Sequence, residues 1–292
     1  MKSKTLLLSV FLLTVQFLFA QETILWKIER PGTQNVSYLL GTLHQVGNSF
    51  VDDRPIIKSL LLRSNIAVFE SVEDKKKTIL DVMNNRPDNF SYREDLDKKD
   101  VEYLESISKD WPAPISKAFP AELALKLEQL YVLDVCETTK PSDTAKHLDD
   151  YLLSLAQNAN IKLQGLESNA DQFKAINAMQ IYDWKAFREG IAARVKNLQK
   201  KKNKNQLCRI ANTYMGDMNF DYQFNVKCAE NDAMLINRNE KWMPEIEQIL
   251  QNNNAFIAVG LMHLFGDCGI ISNLKKNGYK VTPVPLLKDV SK

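Results

Sequence analysis

Histidine is the scarcest chemically versatile residue in this 292-residue sequence, and two of the three copies share a frame. Gly41-Thr42-Leu43-His44-Gln45-Val46-Gly47 reads G-x-x-H-x-x-G, and so does Gly260-Leu261-Met262-His263-Leu264-Phe265-Gly266. With only ten glycines in the chain, chance framing of two histidines on both sides is a weak explanation. Two acids stand in related places. Glu70 follows the apolar run 66–69, and Glu167 follows 161–166. Two imidazoles with one or two carboxylates suit a divalent transition metal such as Mn, Co or Zn. A spare carboxylate beside a metal-bound water can act as general base. Plainer alternatives stay open. Each histidine could cap a helix after a glycine turn, and each glutamate could pair with a surface lysine. His147 has no frame and reads as structural. Arg238, in Asn237-Arg238-Asn239, is most simply a helix-surface residue.

The elements that must position these residues can be read from periodicity. Residues 23–30 alternate as a strand, the Pro31-Gly32 region turns, and 36–40 is a second strand, which predicts a hairpin. Residues 54–63 read as a helix, and 66–69 as a buried strand. Segments 97–109, 121–134 and 144–157 are helical in spacing, and 161–166 is a further strand. Residues 171–202 read as one or two helices and 218–242 as another. Strand 255–259, helix 270–276 and strand 279–283 close the chain. Each G-x-x-H unit thus lies between a strand and a helix–strand pair. A glycine there allows a sharp turn or positive φ, and ligands bind outside the carboxyl ends of strands in α/β sheets. The expected fold is α/β, a mixed sheet built from the N- and C-terminal units with a largely helical middle. No linker divides residues 21–292, which read as a single domain.

Residues 1–20 carry Lys2, Lys4 and an apolar run ending at Ala20, the pattern of a signal peptide cleaved before Gln21. Removing Lys2 and Lys4 leaves 36 basic against 36 acidic residues. An exported, neutral protein is expected, periplasmic or secreted, with no integral membrane segment after cleavage. The balance argues against nucleic-acid binding, and the run 200–204 reads as a solvated helix end. Four cysteines in an exported chain predict at least one disulfide, with Cys208–Cys228 favoured among three possible pairings. H-E-x-x-H and G-x-S-x-G are both absent.

The GTLH at 41–44, the acid at 70, GLE at 165–167, the Arg-Asn pair at 238–239 and GLMHLFGDCG at 260–269 resemble the TraB/PrgY/GumN family, which includes the Tiki proteins. Animal Tiki members are metal-dependent proteases with a fold akin to the erythromycin esterase and ChaN-like group, and PrgY is associated with inhibiting a peptide pheromone. The resemblance implies a metal-dependent active site containing His44, Glu70 and His263, with Glu167 and Arg238 in support. The expected activity is hydrolysis of a peptide or protein substrate. A non-catalytic peptide- or haem-binding protein and a metal-free esterase remain as alternatives.

Overall fold

Continuous apolar runs with β-branched residues favour strands buried on both faces. Ile66–Phe69 and Ala255–Gly260 are such runs, and every residue in them is buried. The computed structural model describes residues 21–178, 181–201, 205–229 and 232–286. The signal-peptide expectation falls on residues 1–20, outside the described residues, as do Lys202 to Lys204 of the basic run. Eight strands are present among them: β1 (Gln21–Glu22), β2 (Leu25–Glu29), β3 (Val36–Thr42), β4 (Ile66–Phe69), β5 (Lys162–Gly165), β6 (Asn219–Phe220), β7 (Ala255–Gly260) and β8 (Lys280–Pro283).

Six of them form one mixed sheet in the order β5-β4-β7-β3-β2-β8, and β1 pairs with β6 alone. β2 and β3 form the antiparallel hairpin expected from the turn at Pro31-Gly32, with Lys27 opposite Tyr38. β3, β7, β4 and β5 run parallel. Their carboxyl ends therefore share one edge of the sheet. The central pairing, β3 with β7, joins Gly41 to Val259 and Thr42 to Gly260, so the two G-x-x-H segments leave the sheet side by side.

The main apolar core gathers Trp26, Leu39, Val68, Ile257, Trp242 and Leu274 around this sheet. A second core lies in the helical middle, where Tyr92, Leu104, Leu127, Trp184, Ile191 and Ala211 pack together. The helix Pro120–Val135 lies against Trp184–Lys200 in this region. Leu43, just before the first framed histidine, touches both cores.

Two expectations need correction, and one open alternative is decided. Residues 218–242 are not one helix: β6 lies at Asn219–Phe220, and the helix begins only at Ile236 and runs to Asn252. Met218 and Tyr222 there are buried by packing on the sheet, which imitates helical spacing. The disulfide is not Cys208–Cys228. Cys208, on the helix Gln206–Met215, bonds Cys136 at the end of Pro120–Val135, and Cys228 bonds Cys268. Each pair joins segments that tertiary packing brings together, 72 and 40 residues apart in sequence. Finally, neither Gly41 nor Gly260 has positive φ. They are needed for space, since a Cβ on Gly41 would lie 2.7 Å from Leu261.

Candidate active site

The four parallel strands deliver their following residues in spatial order: Glu167 after β5, Glu70 after β4, His263 after β7 and His44 after β3. The ladder between β4 and β5 continues past the strands. Leu166 donates its N–H to the Phe69 carbonyl at 3.0 Å and Glu167 to that of Glu70 at 2.9 Å. The backbone itself thus sets the two glutamates beside each other.

Glu70 is the hub. Its Oε1 accepts the Gly260 N–H at 2.7 Å and lies 4.0 Å from His44 Nε2 and 3.7 Å from His263 Nε2. Both imidazoles therefore face the same carboxylate oxygen. Its Oε2 accepts from Arg238 Nη2 at 2.6 Å and from Gln172 Nε2 at 3.2 Å. Burial opposes the charge on Glu70, but the cationic neighbours hold its carboxyl below the usual range.

Each histidine is oriented through Nδ1. For His263, Asn239 supplies the partner: its Oδ1 is 2.7 Å from Nδ1, while its Nδ2 donates to the His263 and Cys268 carbonyls. Those two donations fix the amide, so Nδ1 carries the proton and the Nε2 lone pair accepts from Arg238 Nη1 at 3.1 Å. Burial lowers the pKa of this ring to about 4, which keeps it neutral. For His44, Asp149 takes the Nδ1 proton side at 2.5 Å, and Thr42 donates to the other Asp149 oxygen at 2.8 Å. The Asp149 charge raises His44 to about 9. Burial opposes ionisation of Asp149, yet the His44 contact holds it at about 2. Asp149 lies in the first turn of Leu148–Asn158, where a helix favours negative charge. His44 has 41% of its side chain exposed, so the centre opens to solvent on that side.

Arg238 is not a surface residue; only 11% of its side chain is exposed. It contacts both Glu167 oxygens, at 2.6 to 3.2 Å, the Met234 carbonyl at 3.0 Å, and His263 Nε2 through Nη1 at 3.1 Å. Glu167 also accepts the Trp242 indole N–H at 3.2 Å, and its side chain is 1% exposed. Its oxygens are spent on Arg238 and Trp242. Of the two glutamates, only Glu70 reaches the histidines. His147 stays outside this group; it immediately precedes Leu148–Asn158, one residue short of the helix on which it was expected.

Gly260 leaves the room in which these groups meet. A Cβ there would lie 3.0 Å from Glu70 Oε1, 3.3 Å from His44 Nε2 and 3.6 Å from the His263 ring. Comparison with known protein families matches residues 24–283 to one of them. The chain belongs to the TraB/PrgY/gumN family. No curated protein and no solved structure matches it. The match spans β2 to β8, hence every residue of the centre in this member of the family.

The residue types are those of a divalent-ion site, although among the described residues the three candidate ligand atoms do not all lie within 4.8 Å of one another. Two imidazole Nε2 atoms and one carboxylate oxygen converge, and each ring is held through Nδ1 by an oxygen, the arrangement that orients metal-binding histidines. Three carboxylates face the Arg238 guanidinium and the His44 ring, which the Asp149 charge holds protonated, so one negative charge is left over at the centre. Among the described residues, the group whose candidate ligand atoms do all lie within 4.8 Å of one another is Cys228, Asp267 and Cys268. Its two sulfurs are bonded to each other, so thiolates for an ion exist there only after reduction.

Asp149, Asn239 and Gln172 are the contributors that sequence reasoning passed over. Asn239 stood in the Arg-Asn pair but drew no role. Asp149 offered only the weak signal of an acid at a helix start, 105 residues from the histidine it holds.

Proposed function

We propose that this protein is an exported metal-dependent hydrolase that cleaves peptides, folded as one domain over residues 21–292 in the manner of the erythromycin esterase and ChaN-like group. The observation that carries the reading is the convergence of His44 Nε2, His263 Nε2 and Glu70 Oε1, each ring pinned by its own partner. These three side chains would hold the ion. When bound, a divalent ion supplies Lewis acidity toward a carbonyl and makes water a stronger acid.

The remaining residues serve that centre. Arg238, locked by Glu167 and Met234, is a fixed cation beside the place where negative charge develops in acyl transfer. Glu167 and Trp242 keep the guanidinium from swinging away. Asp149 holds His44 and Asn239 holds His263, which removes the entropy cost of orienting each ring. Gly260 keeps the centre open.

The test is metal analysis of purified protein, followed by cleavage of a peptide library with and without Mn²⁺, Co²⁺ or Zn²⁺. Metal near one equivalent and cleavage abolished by chelation are expected. One observation favours a second reading. Asp149, His44 and Glu70 could serve a metal-free esterase, with His44 as the proton carrier. Activity that survives exhaustive chelation would select it.

A further inference from the structure

A cavity of about 290 Å³ adjoins the centre. Its lining includes Ile79, Trp111, Phe173 and Ile176, from three separate segments of the helical middle. Gln172 belongs both to this lining and to the centre, since its amide donates to Glu70 Oε2 at 3.2 Å. Lys75 is likewise shared: it lines the cavity and interacts with Asp149 and Glu70. The cavity is therefore one side chain away from the carboxylate hub.

The polar groups around it are unequally occupied. Glu122 is spent on Arg86, in two contacts of 2.7 and 2.9 Å. Lys75 pairs with Asp150 at 3.0 Å. Lys126 makes no ion pair among the described residues, and burial lowers its pKa. Asn169 is 3% exposed, donates Nδ2 to Thr78, and leaves the other end of its amide without a partner. A buried amide end without a partner costs free energy unless something that enters the cavity satisfies it. The apolar wall, the unpartnered Asn169 amide oxygen and the Lys126 ammonium, which lies 5.8 Å from the Trp111 ring centre, make a lining suited to an apolar side chain with a polar neighbour. The volume lies at the small end for ligand pockets, which suits a single large side chain rather than a whole cofactor.

We propose that this cavity is the substrate-selecting subsite of the enzyme and takes one large apolar side chain, such as phenylalanine or leucine, of a peptide. The inference rests on the reading of the centre as a peptide hydrolase. Asn169 meets a polar group of the same peptide, and Lys126 rejects a basic side chain in that position.

The test uses fluorescein-labelled hexapeptide amides, Gly-Gly-X-Gly-Gly-Gly with X as Ala, Leu, Phe or Lys. Binding is read by fluorescence polarisation on EDTA-treated protein, and cleavage is followed separately with added Mn²⁺ or Zn²⁺. The Phe and Leu peptides should bind at least about tenfold tighter than the Ala peptide, with Lys weakest. Ile79→Trp should reduce that ratio below about twofold by filling the cavity, and Ile176→Trp repeats the test from another helix. Neither position is fully buried, and circular dichroism checks each fold. Equal binding of the Ala and Phe peptides, or a ratio unchanged in both folded variants, overturns the subsite. Selective binding without any cleavage supports the subsite and rejects the hydrolase reading. Cleavage with no preference at X does the reverse.

Discussion

Arg238→Met should be among the most destabilising single changes in this protein. The guanidinium lies 2.6 Å from a carboxylate oxygen of Glu70 and 2.6 Å from one of Glu167, and the side chains of all three are 11% exposed or less. Methionine fills most of the volume but leaves two buried carboxylates without their shared counter-charge. Breaking one buried pair in this way costs about 3–5 kcal/mol. With two acids stranded, the upper part of that range is expected. For a chain of this size it corresponds to a fall in Tm of roughly 6–20 °C. The assay is urea unfolding of EDTA-treated protein, comparing wild type, Arg238→Met, Glu167→Gln and the double variant. Glu167→Gln in the Met background removes one stranded charge, so the double variant should be more stable than the sum of the single losses predicts, by about 0.5–3 kcal/mol. Adding Mn²⁺ or Zn²⁺ gives Glu70 another cation, so the ion should stabilise Arg238→Met more than wild type. A loss under about 1 kcal/mol in the metal-free variant, or strict additivity with Glu167→Gln, would show that the guanidinium is not the shared counter-charge.

Further outcomes follow from the same geometry. His44→Ala and His263→Ala should each remove most bound metal, with the double variant little worse and His147→Ala unchanged, as read by metal analysis. Gly260→Ala should retain the fold by circular dichroism yet weaken metal binding, because its Cβ would lie 3.0 Å from Glu70 and 3.3 Å from His44; unaltered affinity would mean that the space is not used. Asn239→Leu should weaken metal binding by about 10–100-fold in a titration, since His263 loses the partner that orients it. Opening the Cys136–Cys208 bond by Cys136→Ser with Cys208→Ser should cost up to about 4 kcal/mol in urea unfolding, for a loop of 72 residues.

The strands that carry the centre were legible because each is a short apolar run followed within three residues by a residue with chemistry. Val36–Thr42 leads to His44, Ile66–Phe69 to Glu70, and Ala255–Gly260 to His263. Their parallel order puts those residues on one edge, so a local pattern became a spatial one. What orients them was not legible. Asp149 meets His44 only because the helix Leu148–Asn158 docks there, through the Leu148 N–H on the His44 carbonyl at 3.1 Å. Arg238 looked solvated because its neighbours Asn237 and Glu240 are, and a helix turns one face inward without marking it by charge. The cysteine pairing failed for a related reason: the helical middle folds its own core around Cys136 and Cys208, and sequence distance says nothing about that. Of the frame glycines, Gly266 takes the positive φ that only glycine adopts readily, whereas Gly41 and Gly260 are necessary for close approach.

The pairing of β3 with β7 has a consequence for the order of events in the life of the chain. It joins Tyr38 to Phe256, across most of the sequence. While the chain is being made, His44 exists long before His263, and no growing chain shorter than 263 residues holds both rings. Glu70 and Asp149 follow His44 and also precede His263, so an unfinished product has acids and one imidazole but no closed set of donors. Tight metal capture therefore waits for the last strands to enter the sheet. On the proposed reading, the ion that the finished protein takes up is set by the pool it meets after synthesis ends, and a chain broken anywhere before β7 is spared a half-built centre that could hold the wrong one.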